Sequence, residues 1–194
     1  MICSTKKLKD VKLASQIILN GGIIIYPTDT LYGLGVDATN TDAINSLNNL
    51  KNKKKIYSII LNSKKEIMKY AYIPKGQEKN IHSIFPGPFT AILKNKNSDL
   101  SSLVNLNSNT IGIRIPKSNF IKDVVKFCKK PIITTSVNSH GEKSIQDISE
   151  IEHKFPYIHI FYDKLKTKSN GSTIIDFSKK YPIILRQGDG EFST

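Results

Sequence analysis

Hydrophobic positions along this chain follow two spacings, one typical of helices and one typical of buried strands. Between residues 8 and 19, apolar side chains recur every three or four positions, which predicts a helix that ends at Gly21 and Gly22. The apolar run that follows, residues 23–26, predicts a buried strand. We expect Pro27 to end that strand, because proline cannot donate a hydrogen bond to a neighbouring strand.

The rest of the chain continues this mixture of helices and strands. Helical spacing or capping residues predict helices at 41–50 after a Thr41-Asp42 cap, at 63–70 after a Ser63 cap, and at 120–127. Short apolar runs predict strands at 56–61, 89–93, 111–115, 131–135, 158–162, 172–177 and 183–185. Several of these strands follow one another directly, so the pattern predicts an α/β fold with a mixed parallel and antiparallel sheet and flanking helices.

Length and composition favour a soluble globular protein. The 194 residues carry no internal repeat and no long linker, so a single domain spanning 1–194 is expected. No apolar run approaches the roughly 20 residues of a membrane helix, and no signal-peptide stretch follows Met1. We therefore expect a cytoplasmic protein with no membrane partner. Cys3, Cys128 and four scattered histidines share no metal-ligand spacing, so neither a zinc site nor a disulfide is expected.

The net charge of +13 is the one unusual bulk property. It predicts attraction to polyanions such as RNA, or to nucleotide phosphates. The chain is also rich in lysine, asparagine and isoleucine together, which an AT-rich coding sequence would produce whatever the function. Composition alone leaves both explanations open.

Six clusters of hydroxyl, glycine and arginine residues accompany the apolar runs. They are PTDTLYGLG (27–35), PGPFT (86–90), TIGIRIP (110–116), TTSVNSHG (134–141), GSTIID (171–176) and ILRQG (184–188). Glycine lets a backbone approach a ligand closely, and hydroxyl-rich loops after strands can surround a ribose or phosphates. Taken singly, the clusters are also typical of ordinary turns, and PGPFT in particular predicts a tight turn before a strand.

Arg114 is the charged residue within an otherwise apolar predicted strand. An unpaired charge there would be costly to bury, so the arginine needs a partner. Either a structural salt bridge or a substrate carboxylate held by two parallel hydrogen bonds would satisfy it. The sequence contains no G-x-x-x-x-G-K-[ST] loop, no G-x-G-x-x-G after Ile25 and no G-x-S-x-G elbow, so a nucleotide site here would be of an unusual kind.

In this order and spacing, the six clusters resemble the motif series of the YrdC/Sua5 family, the threonylcarbamoyl-AMP synthases. The resemblance covers residues 21–188. The length of the chain resembles the short, single-domain form of the family. It implies a twisted α/β sheet around a deep basic cavity. It also implies a nucleotidyltransferase that joins L-threonine, bicarbonate (or CO2) and ATP with Mg²⁺. The products would be threonylcarbamoyl-AMP and pyrophosphate, made for the t6A modification at position 37 of tRNA.

The resemblance also assigns roles to residues, motif by motif. Arg114 would bind the threonine carboxylate, while Lys51 and Lys53 would face the triphosphate, and these three would be the catalytic residues. The implied threonine-binding set is Thr30, Asn62, Arg114 and Ser172. The implied nucleotide-binding set is Lys53, Tyr57, Thr110, Thr134, Ser136, Asn138, Ser144 and Arg186. Expected partners are ATP, L-threonine and bicarbonate, with tRNA and a downstream threonylcarbamoyl-transferase complex as further candidates.

The chain departs from the family pattern in its lysine segment, residues 51–55. Lys53 stands where relatives carry arginine, and Lys54 stands where they carry proline. Lysine keeps the positive charge but loses the two-pronged geometry of arginine. Lower activity or a register shifted by two residues would both fit this departure. So would a non-catalytic RNA-binding protein of the same fold, or a paralogue with another substrate. The carbamoyl-adenylating domain of hydrogenase maturation would need more cysteines in a much larger chain.

Overall fold

The computed structural model describes residues 2–96, 98–138, 143–163 and 168–193. Eleven strands lie within this described part of the chain: β1 Ile2–Ser4, β2 Ile24–Pro27, β3 Tyr32–Gly35, β4 Ser58–Ile60, β5 Ala71–Tyr72, β6 Phe89–Asn95, β7 Thr110–Arg114, β8 Ile132–Ser136, β9 His159–Tyr162, β10 Thr173–Asp176 and β11 Ile183–Arg186. The α-helices are α1 Leu8–Leu19, α2 Thr41–Leu50, α3 Ile67–Tyr70, α4 Glu78–Ile84, α5 Asn119–Cys128 and α6 Ile148–Lys154, and a 3-10 turn at Lys64–Glu66 precedes α3.

The strands form one mixed sheet, as the sequence predicted. Their order across the sheet is β1-β9-β2-β3-β8-β4-β7-β6-β10-β11, and β5 pairs with β6. The pairs β1–β9, β2–β9, β4–β7 and β6–β10 are parallel, whereas β2–β3, β3–β8, β4–β8, β6–β7, β10–β11 and β5–β6 are antiparallel. The α/β class with a mixed sheet is therefore confirmed.

The central strands are buried on both faces, which explains their uninterrupted apolar runs. Adjacent residues contact different cores: Ile25 and Ile59 belong to one, whereas Ile24 and Ile60 belong to the other. Helices α1 and α5 cover the second core with residues such as Val11, Ala14, Ile18, Phe120, Ile121 and Val124. Each large aliphatic side chain buried in this way contributes about 1.5–3 kcal/mol to folding. Helices thus flank both faces of the sheet.

Local predictions differ from the structure mainly at element ends. Helix α1 has the predicted bounds. Strand β2 runs from Ile24 to Pro27, one residue later at each end than predicted, and Pro27, its last residue, pairs with Tyr32. The N-cap of α2 is Asn40, whose side chain accepts hydrogen bonds from the Asp42 and Ala43 N–H groups at 3.0 Å each. The predicted cap Thr41-Asp42 is therefore wrong by one residue. Ser63 precedes the 3-10 turn without a side-chain capping bond.

Two glycines within or at the end of polar clusters allow neighbouring backbones and rings to approach closely. A Cβ on Gly35 would lie 2.6 Å from Cε1 of Tyr26 and 2.9 Å from Ile132, so the glycine in β3 makes room for the buried Tyr26 ring. A Cβ on Gly188 would meet the backbone of Gly171 and Ser172. The chain leaving β11 can therefore pass directly against the start of β10.

Candidate functional site

Several strand ends and their loops surround one cavity with a volume of about 230 Å³. Its wall comes from the β2–β3 hairpin, the segment entering β4, the end of β7, strand β8, and the β10–β11 pair. These elements are far apart in sequence, and the mixed order of the sheet places them side by side. The cavity brings together residues from all six polar clusters.

Arg114 occupies the end of β7 and is 91% buried, with 9% of its surface exposed. Its Nη2 donates to Oγ1 of Thr30 at 3.1 Å and to Oδ1 of Asp29 at 3.4 Å. Its Nε is buried and has no hydrogen-bond partner among the described residues. Burial lowers the pKa of the guanidinium, and Asp29 opposes that shift. Arg114 thus has the salt bridge that the sequence allowed for, with Asp29. Its Nε still has no partner among the described residues, so a substrate carboxylate remains compatible with this geometry.

Asp29 holds the Arg114 guanidinium in position through an ion pair. Its Oδ1 contacts Arg114, while its Oδ2 accepts a hydrogen bond from the Lys117 N–H at 3.0 Å. Both charged side chains of the pair are about one-tenth exposed, at 11% for Arg114 and 10% for Asp29. Solvent therefore screens this pair far less than it screens a surface ion pair.

Replacing Asp29 should therefore lower stability more than breaking a surface ion pair. We expect Asp29→Asn to reduce the free energy of unfolding by about 1–3 kcal/mol, because a buried guanidinium loses its carboxylate. Asp99→Asn is the matched control: it breaks the Lys69–Asp99 pair, whose side chains are 55% and 53% exposed, and it should cost less than about 1 kcal/mol. Urea unfolding of both variants tests this, and equal losses would contradict it.

Another part of the wall is built on Ser172, the residue before β10, and on Arg186 of β11. Ser172 Oγ lies 2.8 Å from Oγ1 of Thr90. Arg186 donates to the Ser172 carbonyl through Nη2 at 2.6 Å and through Nε at 3.1 Å. Burial, together with repulsion from Arg114, lowers the pKa of Arg186. Two guanidinium groups from different strands thus face the same cavity.

Lys51 fixes the loop that follows β8. Its ammonium donates to the backbone carbonyls of Ser136 and Asn138 and to Oδ1 of Asn138, all at 2.8 Å. Ser136 Oγ donates to the same Asn138 oxygen at 3.0 Å. Only 3% of Lys51 is exposed, and three oxygens lie within hydrogen-bond distance of its side-chain nitrogen. The cavity-lining Ser136 is held in place by this network. Motif residues 139–141 lie outside the described residues.

Eight predicted site residues line the cavity. They are Thr30, Tyr57, Arg114, Thr134, Ser136, Ser144, Ser172 and Arg186. The Tyr57 hydroxyl donates to Oδ1 of Asn48 at 2.8 Å, so its ring rather than its hydroxyl is the part available to a ligand. Their convergence satisfies the geometric requirement for a shared site, while the role of each one stays a prediction.

Five predicted site residues lie outside the cavity wall: Lys51, Lys53, Asn62, Thr110 and Asn138. Lys51 and Asn138 belong to the loop network described above, where the Lys51 side-chain nitrogen donates to Asn138. Lys53 is exposed. Asn62 follows β4 by two residues, and Thr110 begins β7, four residues before Arg114. The predicted contacts of all five with ATP or threonine stay predictions.

Sequence reasoning did not select several residues that the cavity includes. Thr90 and Thr135 line the cavity; both belong to polar clusters, but neither is among the predicted site residues. Tyr32 and Ser58 also line it. Lys55 lines it too, having been noted only as part of the lysine segment. Thr90 stands at the end of PGPFT, which was interpreted as a turn. Its position two residues into β6, opposite Ile174 of β10, could not be derived from the sequence.

The cavity is basic and rich in hydroxyl groups. Its described wall contains three cationic side chains, Lys55, Arg114 and Arg186, and no aspartate or glutamate. The hydroxyl-bearing residues, apart from Tyr57, are Thr30, Tyr32, Ser58, Thr90, Thr134, Thr135, Ser136, Ser144 and Ser172. Such a surface suits a polar ligand that carries several negative charges.

Within the described residues, no three His, Cys, Asp or Glu side chains form a group that could hold a metal ion. The described cavity wall likewise offers hydroxyl and carbonyl oxygens but no carboxylate. These residues do not fit a resident Mg²⁺ site, since protein Mg²⁺ sites usually include one or two carboxylates. In the described part of the chain, every helix is too short or too polar to cross a membrane.

Comparison with known proteins yields a family match and named relatives. The Sua5/YciO/YrdC family model, described as "Telomere recombination", matches residues 16–188. A Methanocaldococcus jannaschii protein named "Putative threonylcarbamoyl-AMP synthase" is 35% identical over 187 residues, covering 94% of this chain and 87% of the relative. The threonylcarbamoyl-AMP synthase of Mus musculus is 26% identical over 167 residues, covering 81% of this chain and 59% of the relative. The chain thus spans about three-fifths of the mouse relative's length.

Solved structures share the fold. Sua5 of P. abyssi complexed with L-threonine superposes with a TM-score of 0.87 at 23% identity, over 97% of this chain and 57% of that chain. YciO of E. coli superposes with a TM-score of 0.86 at 21% identity, over 98% of this chain and 95% of that chain. The family match covers most of the sequence, and the same polar clusters meet in one basic cavity. This chain belongs to the Sua5/YciO/YrdC family.

Proposed function

We propose that this chain is a threonylcarbamoyl-AMP synthase. It would join L-threonine, bicarbonate (or CO2) and ATP to give threonylcarbamoyl-AMP and pyrophosphate, a nucleotidyl transfer. The carrying observation is the buried Arg114, which lines a cavity of hydroxyls and cations and whose Nε has no hydrogen-bond partner among the described residues. The name of the archaeal relative, which matches 94% of this chain, supports the same reaction.

The geometry suits a reaction that depends on positioning. The Arg114 guanidinium would bind the threonine carboxylate, with Thr30 and Ser172 beside it and Asn62 at the end of β4. The neutral threonine amine attacks CO2 and loses a proton, forming a carbamate. A carbamate oxygen then attacks the α-phosphorus of ATP, and the bond to pyrophosphate breaks. Holding three reactants together can lower such a barrier by several kcal/mol without a side-chain base.

Charge neutralisation would supply the rest of the catalysis. Arg186 and one cation of the lysine segment would carry positive charge on the nucleotide side of the proposed site, where pyrophosphate leaves. Thr134, Ser136 and Ser144 would donate hydrogen bonds to ATP, and Tyr57, Thr110 and Asn138 complete the proposed nucleotide set. Mg²⁺ would enter as part of the MgATP substrate, held by phosphate oxygens, because the described cavity wall offers no carboxylate.

The product implies what must follow. A carbamoyl adenylate is a reactive mixed anhydride, so an enzyme that transfers its threonylcarbamoyl group must consume it. We place that acceptor on adenosine 37 of tRNA, with a threonylcarbamoyl-transferase complex as partner and the cytoplasm as the location. The charge of +13 favours an encounter with tRNA, and such binding should weaken steeply as salt rises.

One assay tests the proposed reaction directly. The chain is incubated with MgATP, bicarbonate and each amino acid in turn, and pyrophosphate release and adenylate mass are measured. We expect release with L-threonine and only background release without an amino acid or without bicarbonate. Salt-dependent tRNA binding with no ATP consumption would instead support a non-catalytic RNA-binding protein. Release with a different amino acid would support a paralogue.

A further inference from the structure

The lysine segment sends its side chains in different directions. Asn52 has a φ of 52°, in the left-handed region that asparagine tolerates better than most residues. Helix α2 ends at this point, and the side chains of Lys51 and Lys53 lie in different surroundings. Lys51 is buried against the loop after β8, whereas Lys53 and Lys54 are exposed and border a separate surface depression with asparagines of α2. Within this segment, the lysine that lines the main cavity is Lys55.

Lys55 meets the requirements of an anion-binding side chain. It is partly buried, and its Nζ lies 5.7 Å from the centre of the Tyr57 ring, within the range of a cation–π contact. Among the described residues, no carboxylate forms a salt bridge with it. Burial and the nearby Lys53 both lower the pKa of its amine. A bound anion would relieve both penalties at once.

Lys55 and Arg114 line the cavity from different elements, the segment that enters β4 and the end of β7. Ile60 of β4 pairs with Arg114 of β7, and Lys55 precedes Ile60 by five residues. Five residues of extended chain span at most about 17 Å, so the two backbones are separated by up to that distance along β4. Arg114 is already paired with Asp29. Lys55, in the segment that enters β4, has no acidic neighbour in the described cavity wall.

We propose that Lys55, rather than Lys53, binds the triphosphate of ATP in this chain. The inference rests on the proposed function for its ligand and goes beyond it by assigning the phosphate contact to a position outside the motif. The ammonium at position 55 replaces the missing arginine at position 53, two residues away. This explains how the segment can lose its arginine and proline and still supply a cation to the cavity.

Binding measurements test the assignment without requiring turnover. Inorganic tripolyphosphate and MgATP are titrated by calorimetry into the wild type, Lys55→Gln, Lys55→Arg, Lys53→Gln and the exposed control Lys54→Gln. We expect Lys55→Gln to weaken both ligands by about tenfold or more, since a charge-assisted hydrogen bond is lost. Lys55→Arg keeps the charge and should stay within about threefold, and Lys54→Gln within about twofold. Equal effects of Lys55→Gln and Lys54→Gln would overturn the assignment, as would a loss confined to Lys53→Gln.

A second measurement uses the unmodified chain, so it does not depend on how a variant folds. An amine-reactive acylating reagent is applied with and without MgATP, and acylation of each lysine is located by fragment mass spectrometry. We expect MgATP to protect Lys55 and leave Lys54 reactive, whereas unprotected Lys55 would overturn the proposal. The proposed function can fail separately: Lys55-dependent MgATP binding without threonine-dependent pyrophosphate release would refute the reaction and keep the phosphate assignment.

Discussion

Arg114→Ala should abolish threonine-dependent pyrophosphate release. We expect kcat/KM for threonine to fall by at least about 100-fold, because two charge-assisted hydrogen bonds to the substrate carboxylate disappear together. The KM for MgATP should change much less, since Arg114 is assigned to the threonine carboxylate and Lys55 to the phosphates. Initial-rate kinetics with each substrate varied in turn would separate these two effects.

Folding of the Arg114→Ala variant must be checked independently. The substitution leaves Asp29 without its ion pair, but Asp29 still accepts the Lys117 N–H, so we expect a stability loss of about 1–3 kcal/mol. Arg114→Lys keeps the charge without the two-pronged donor geometry and should remain strongly impaired. Lys69→Ala, which removes an exposed cation, is the matched control and should keep full activity. Near-normal turnover of Arg114→Ala would refute the proposed threonine site.

The second large effect is expected at Lys51, which acts through the loop after β8. Lys51→Met keeps the length of the side chain but removes the donor that serves three oxygens of Ser136 and Asn138. We expect the free energy of unfolding to fall by about 2–3 kcal/mol, because buried acceptors lose their partner. Activity should fall as well, since Ser136 loses its fixed position. Lys12→Met, on the exposed side of α1, is the control and should leave both unchanged.

The pH dependence of stability gives Lys51 a distinct signature. Burial, with repulsion from Lys55 and Lys154, lowers the pKa of Lys51 from 10.5 to about 7. Between those values the unfolded chain holds a proton that the folded chain has released, so the free energy of unfolding rises with pH. We expect the difference in stability between the wild type and Lys51→Met to increase from pH 7 toward pH 10. Parallel unfolding curves across that range would contradict a titrating Lys51.

Local sequence determined the elements whose stability is local. Helix α1 has the predicted bounds because its apolar stripe and the glycines after it act within a few residues. All eight predicted strands correspond to observed strands, and β2, β4, β8 and β9 each contain an adjacent pair of buried apolar residues. Capping was less certain, since Asn40, Thr41 and Asp42 are all good N-cap residues and geometry selects among them.

The strands that were missed depend on partners distant in sequence. Strand β3 contains Gly33 and Gly35, which read as turn residues. They are strand residues because the Tyr26 ring occupies the space that side chains would need. Strands β1 and β5 have three and two residues, and they form by pairing with β9 and β6. Short helices α4 and α6, of seven residues each, likewise carried too few periodic positions to be recognised.

The α/β class, the mixed sheet, the family and the polar clusters that meet in the cavity could all be predicted from the amino-acid sequence. So could the need of Arg114 for a partner, because a buried charge is costly wherever the strand lies. Three further features became visible in the folded chain: the carboxylate that orients Arg114, the contacts of Lys51 with the loop after β8, and the position of Lys55 in the cavity wall. These outcomes depend on side-chain direction after backbone reversals and on strand neighbours tens of residues apart, and spacing along a chain encodes neither.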